Sequence, residues 1–377
     1  MDIKESTPLF LEPLHGVELS FNNHQHQQHK KLPFHLNVTV NYDTQVETTS
    51  LPIWTMLDEG TRYSSLVELY KDDSKHKLTV KCEGEGSFTF DQSAMIIDWQ
   101  SAGTGFEHYL QSLGLACWLE LQGVPCIHAN AITLDDDNAA LIIAPSRTGK
   151  STLTTHLARH QFKLMTDDMA AIHPCDDGTF TIYPSWPKVR LWPDMADSLI
   201  GMEVDEAVDD EEIDGAVDGA VDEAVNEHQS NVNNETKKSG ELIINSVMQQ
   251  DKTIIAAPQK TQVHQKFAKF EIEFDEKNNI WRHQPAQLKA IYYLDRLEET
   301  TSVECAIEKL SASNALMVLL QNSMLANAYV SMGVEFKRLS SLAQILESIP
   351  LYKISYRSGL DNLDKVAAEL KKHLHSQ

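Results

Sequence analysis

The sequence predicts an α/β protein built on a P-loop nucleotide-binding core, with a small β-rich domain ahead of the core and a disordered acidic insertion inside it. Three observations carry this. An apolar run at residues 139–144 passes through a short polar turn into Gly149-Lys150-Ser151 and then into helical spacing, the order strand, phosphate-cradling turn, helix. Residues 1–103 hold several runs that alternate apolar with polar side chains. Residues 200–240 are acidic, repetitive and free of aromatics.

A chain of 377 residues exceeds what one core usually holds. The expected division is 1–103 and 104–377, the second part interrupted at 200–245. A hydrophobic fraction of 42% supplies a sizeable core, and a formal charge of −23 excludes a general nucleic-acid binder, which needs a basic face. No apolar run approaches a membrane span, and the first residues lack the basic-then-apolar pattern of a signal peptide. Cys82, Cys117, Cys126, Cys175 and Cys305 are odd in number and scattered, without Cys-x-x-Cys. That pattern fits reduced thiols in a cytoplasmic protein.

In chain order, strands are expected at 34–40, 77–82 and 87–90, with Glu83-Gly84-Glu85-Gly86 as a turn between the last two. His24, His26, His29 and His35 cluster among glutamines. Neutral imidazoles can ligate a metal, but the surrounding amides read as a polar loop. Phe106, Leu110, Leu113, Ala116, Cys117 and Leu121 form one helical stripe ending at Gly123, and the helix is expected beside the nucleotide sheet.

After the strand at 139–144, the backbone N–H groups of Ser146, Arg147, Thr148, Gly149, Lys150, Ser151 and Thr152 are placed to cradle phosphates at a positive helix end. Lys150 adds a mobile cation near the β- and γ-phosphates, and the Ser151 hydroxyl is a Mg²⁺ ligand. Residues 162–166 form a second strand ending in Asp167-Asp168, a carboxylate pair suited to a metal ion and a proton acceptor. Asp167 is assigned as base and Asp168 as metal partner, although the sequence does not separate the two.

Farther on, the stretch 183–193 is stiffened by proline and tryptophan and suits a substrate wall. It carries Lys188 and Arg190, whose charges suit a transferring phosphoryl group. The tetrads at 205–208, 214–217, 218–221 and 222–225 are too short for a solenoid unit and read as the flexible insertion. A strand at 288–294, a long helix at 312–330, a last strand at 349–356 and a basic helix starting at Asp361 or Asn362 complete the chain.

The runs His128-Ala129-Asn130-Ala131, Ala144 to Thr152 and Thr166-Asp167-Asp168 together resemble the core of HPr kinase/phosphorylase. More closely, they resemble the HPr-kinase-related serine kinases, which share the phosphoenolpyruvate carboxykinase type of nucleotide fold. The likeness covers roughly residues 105–200 and 250–377. It implies ATP and Mg²⁺ as cofactors, a serine hydroxyl on a protein or peptide as acceptor, an N-terminal module for docking or regulation, and a homo-oligomer. His128 occupies the family's histidine position, which implies a hydrogen bond to a carboxylate that tunes the base.

The chain departs from the family where Ala144 and Arg147 replace glycines. Lys188-Val189-Arg190-Leu191 is the nearest counterpart of the family's Glu-Ile-Arg-Gly-Leu-Gly signature. Three functions follow: a protein serine kinase first, then a nucleotide-binding regulatory module without turnover, then a kinase of a small molecule such as free serine.

Overall fold

The computed structural model describes residues 12–21, 32–44, 50–59, 64–133, 137–145, 148–158, 162–191, 259–264, 267–274 and 280–376. Ser146, Arg147, three histidines of the cluster (His24, His26, His29) and the acidic insertion at 200–245 lie outside the described residues.

Alternation in the first hundred residues produces a seven-stranded sheet. Its strands are β1 (Val17–Phe21), β2 (Phe34–Tyr42), β3 (Trp54–Glu59), β4 (Ser64–Asp72), β5 (Lys75–Lys81), β6 (Gly84–Phe90) and β7 (Ala94–Gly103), in the order β1-β2-β7-β6-β5-β4-β3. The β1–β2 and β2–β7 pairs are parallel and the rest antiparallel. One face is apolar, with Leu36, Val38, Leu69, Leu78, Phe88 and Ile97 buried. The turn expected at 83–86 is tighter than its glycines suggested, because Gly84 and Gly86 lie inside β6 at a register shift. Gly86 serves close approach: a Cβ there would fall 2.4 Å from both the Asp98 carbonyl and the Trp99 ring. His35 sits in β2 with Nε2 2.8 Å from the Ser20 hydroxyl of β1.

The apolar stripe at 106–122 folds as α1 (Phe106–Tyr109), a π-helical turn (Leu110–Gly114) and α2 (Leu115–Gln122), ending at Gly123 with φ +88°. It was expected beside the nucleotide sheet. Its main partner is the seven-stranded sheet: Trp118 packs edge-on to Phe34 at 5.8 Å, and Trp99 meets Tyr109 at 5.2 Å. Leu115, Cys117 and Leu119 are buried in that same core, which also takes in Met169 and Trp186. Packing therefore runs across the boundary expected at residue 103, and the described residues fall in one compact unit.

The second sheet has nine strands. Its main path is β11 (Lys163–Thr166), β9 (Ala129–Thr133), β10 (Asn138–Ile143), β17 (Ala286–Leu297), β13 (Phe180–Ile182), β12 (Ala170–Pro174) and β8 (Cys126–Ile127), with β19 (Leu351–Arg357) on β17 and β18 (Cys305–Lys309) beyond it. The sheet is mixed: β10–β17 and β17–β19 are parallel, whereas β9–β10 and β11–β9 are antiparallel.

Successive residues alternate between two cores. Ile132, Ala140, Ile142, Tyr292 and Ile354 face one, with α3 (Lys150–Ala158) and the C-terminal helix. Ala131, Leu141, Ile143, Ile291 and Leu351 face the other, with Ala315 and Leu319 from α4 (Ala312–Gln321) and Leu342 and Ile345 from α6 (Glu335–Ser348). Helix, sheet and helix thus make three layers.

The helix expected at 312–330 is broken into α4 and α5 (Ala326–Met332). Residues 322–324 leave the helix to satisfy the edge of β8. The Asn322 carbonyl accepts the His128 N–H at 2.7 Å, and Met324 N–H reaches the Cys126 carbonyl. The terminal helix α7 (Leu363–His375) starts from Asn362, as expected.

A three-stranded antiparallel sheet follows the order β14 (Lys188–Leu191), β16 (Phe267–Glu273), β15 (Gln259–His264). The segment leading into β14 is tied to the chain's start. His15 N–H donates to the Pro184 carbonyl at 2.9 Å, and the Trp186 indole N–H donates to the Glu12 carbonyl at 3.3 Å. Among the described residues, no helix is long and apolar enough to cross a membrane.

Candidate functional site

Strand β10 delivers the chain to Ala144 and Pro145, with β9 paired to β10 and β11 to β9. Gly149 holds φ +96°, a conformation that glycine adopts without the Cβ penalty, and it launches α3. Lys150 is therefore the first residue of the helix, and it is only 7% exposed.

Its ammonium is fixed from two sides. Nζ donates to Asn130 Oδ1 at 2.5 Å and stands 3.6 Å from Asp168 Oδ1. Asn130 is 2% exposed. It lies opposite Ile142 across the β9–β10 ladder, on the face of β9 that Ile132 shares with α3. Its carbonyl also accepts the Asp168 backbone N–H at 3.2 Å, and its Nδ2 donates to the Thr154 hydroxyl at 2.8 Å.

At the end of β11, Asp168 adopts φ +63° and Met169 N–H closes back on the Asp167 carbonyl at 2.8 Å. A non-glycine residue at positive φ costs about 1–3 kcal/mol, and aspartate tolerates it better than most. The turn points both carboxylates toward the same cleft. Asp167 Oδ2 accepts the backbone N–H of Arg190 at 3.0 Å, which couples the aspartate pair to β14.

The cleft is lined by Asp167, Asp168, Lys188, Arg190 and Glu271, with His108, Gln111 and Ser112. Lys188 Nζ lies 3.0 Å from Glu271 Oε1, and Arg190 Nη2 lies 3.4 Å from Glu271 Oε2, so one carboxylate of β16 holds both cations. Glu107, at the mouth of α1, has its carboxyl pushed up by burial; Lys188 opposes that shift and Glu271 adds to it.

Asp167, Asp168, Lys188 and Arg190 thus line one cleft, and Lys150 reaches it only through Asp168, 3.6 Å from its ammonium. Of the described residues from 148 to 152, Thr148 and Gly149 precede the helix and Lys150, Ser151 and Thr152 form its first turn. Ser151 is half-buried in the first turn. His128 follows β8 with its backbone N–H on Asn322, and it is not among the residues that line the cleft; the histidine there is His108.

Sequence reasoning gave no role to Asn130, Glu271 or His108. The available signal for Asn130 was a lone amide inside an otherwise apolar strand, since a buried amide needs partners. Glu271 lies beyond the insertion, and His108 falls on a helix read only for its apolar stripe.

For Mg²⁺, the oxygens of Ser151 and Asp168 suit a hard cation that keeps most of its water and takes its remaining ligands from phosphates. Among the described residues, no group of three or more His, Cys, Asp or Glu side chains forms an all-protein metal cage.

No family model matches this chain, and no curated protein matches it. Among solved structures it is similar to the HPr(Ser) kinase/phosphatase from Coxiella burnetii. The match has 9% sequence identity, covers 67% of this chain and 97% of that one, and has a TM-score of 0.30.

Proposed function

We propose that the protein is an ATP-dependent kinase that transfers the γ-phosphoryl group to a hydroxyl, a serine on a protein or peptide. The observation that supports this best is the convergence of a helix-start lysine with two carboxylates. The Lys150 ammonium stands 3.6 Å from Asp168, whose neighbour Asp167 faces the same cleft.

In this reading, the amides at 148–152 and Lys150 bind the phosphates, while Ser151 and Asp168 hold Mg²⁺. Bound Mg-ATP supplies the phosphoryl group and the charge that stabilises its leaving oxygen. Asp167, oriented by the Arg190 N–H, takes the proton from the acceptor hydroxyl. Lys188 and Arg190 line the same cleft and meet the charge of the transferring group. Phosphoryl transfer is mostly positioning and charge stabilisation, so these few groups suffice.

One observation favours a second reading, an ATP-binding regulatory module without turnover. Both cleft cations of β14 are already held on Glu271, which reduces their pull on a phosphoryl group.

A single set of assays separates the readings. The intact protein is incubated with γ-labelled Mg-ATP and a cell extract, and separately with small hydroxyl compounds. Labelled protein supports the first reading, bound but unconsumed ATP the second, and a labelled metabolite a small-molecule kinase on the same scaffold. Lys150→Ala is expected to abolish transfer, and full activity in that variant would end the kinase assignment.

A further inference from the structure

We propose that Asn130 is the positioning residue of this site: its carboxamide sets where the Lys150 ammonium stands relative to Asp168. The proposal deepens the kinase reading and rests on it for its catalytic consequence, but its geometric content stands alone.

The hydrogen-bond network fixes which way the amide faces. The Thr154 hydroxyl sits within 3.2 Å of the Lys150 and Ser151 carbonyls, one helical turn back, and its proton goes to them. A hydroxyl has one proton, so its remaining capacity toward Asn130 is as an acceptor, and the group it faces at 2.8 Å must be the NH₂. The Asn130 carbonyl is thereby turned toward Lys150 and the Asp168 N–H, both of which are donors. A flipped amide would set NH₂ against an ammonium and an N–H, with no acceptor between them.

The side chain therefore ties together three separate pieces: the first residue of α3, the strained turn of Asp168, and the helix interior at Thr154. Its neutrality matters as much as its shape. A carboxylate at this buried position would add negative charge beside Asp168 and facing the phosphates, whereas an amide holds the lysine without that charge. Asn130 makes no contact with substrate in this assignment. It acts through Lys150 and Asp168.

The test uses the full chain and three variants. Asn130→Ala removes the carbonyl and should lower kcat by about tenfold to a hundredfold, as expected for a displaced reacting group, with a smaller change in KM for Mg-ATP. Asn130→Asp keeps the acceptor and adds charge. Its KM for Mg-ATP should rise more than that of Asn130→Ala, because the new charge faces the phosphates. Thr154→Val leaves the carbonyl but releases the amide that orients it, so its effect should be smaller and in the same direction as that of Asn130→Ala.

Independently of turnover, acetylation of Lys150 by sulfo-N-hydroxysuccinimide acetate, followed by peptide mass spectrometry, reads the amine itself. Freed from Asn130, Lys150 should react about tenfold faster in Asn130→Ala, the scale of losing one charge-assisted hydrogen bond. An unchanged labelling rate in both Asn130→Ala and Thr154→Val would overturn the proposal. So would wild-type kcat and KM in the two Asn130 variants of an active enzyme. Should wild-type protein neither bind nor consume Mg-ATP, the kinase reading falls, and the labelling rates still decide whether Asn130 positions Lys150.

Discussion

Two buried cations in this molecule meet carboxylates in opposite ways. Arg338 of α6 donates to Glu120 of α2 at 2.8 Å, with side chains 5% and 2% exposed. Glu120 also accepts the Cys126 N–H, and the guanidinium lies 5.2 Å from the Tyr329 ring centre. Lys150 stands 3.6 Å from a carboxylate that is 39% exposed and borders a cleft. The first pair is closed: every charged group is wrapped, and nothing can enter without taking the core apart. The second is open on one side, so its charge can be shared with a ligand at little structural cost.

The sharpest way to break this contrast is Arg338→Leu. Burial already pushes the Glu120 carboxyl up, and Arg338 holds it down; without the arginine an uncompensated buried acid remains. Stability should fall by about 3–5 kcal/mol, measured by urea unfolding. The folded-state carboxyl would then titrate farther above its unfolded value. The deficit relative to wild type should therefore be smallest at or below about pH 4.5 and grow as pH rises above it.

A pair of buried histidines extends the closed class to groups without a counter-charge. Burial, with His173 adding to it, lowers His15 to about 3, and burial lowers His173 to about 4, both from 6.5. The folded state therefore binds fewer protons than the unfolded chain once pH drops under 6.5. Stability should be full above that value and fall progressively toward pH 4, seen as a declining melting temperature. His173→Phe should flatten the decline, and an unchanged pH slope would remove these histidines as its source.

On the open side the expected stability effects are smaller. Gly149→Ala places a Cβ no nearer than 3.7 Å to the Tyr356 hydroxyl, so its cost is backbone strain alone, about 1–2 kcal/mol by thermal melting. Lys150→Met should change stability least, by about 1 kcal/mol or less, because the Asp168 carboxylate, 39% exposed, can take water in its place and the Asn130 carbonyl keeps the Asp168 N–H. A loss as large as that of Arg338→Leu would show that the two clusters are alike after all.

The sequence made the open cluster half legible. The run at 139–144, Lys150 and Asp167-Asp168 lie within thirty residues of one another, and local patterning placed each on its element. Asn130 was visible only as one polar letter in an apolar strand, and its meaning depended on a ladder that sets it opposite Ile142. Glu271 could not be linked to Lys188 and Arg190 before β14 and β16 were known to pair, because charge partners across a long insertion leave no periodic trace.

The same limit explains the helix at 312–330. Its apolar spacing is continuous through residues 322–325, and only the unsatisfied edge of β8 gives the backbone a reason to leave the helix there. The helix at 106–122 carried a clear stripe, but a stripe does not say which of two sheets it will cover.

The bonds from Glu12 and His15 to the 184–186 segment have a practical meaning for anyone handling this protein. Two residues past Trp186 the chain becomes the strand that bears Lys188 and Arg190, so the amino-terminal thread is stitched to the cleft's own wall. Trimming the chain past residue 15, or fusing a bulky partner there, would tug on the geometry of the cleft from a place that looks remote on paper. An unexpected loss of activity in such a truncation would report a loosened seam, with every side chain of the cleft still present.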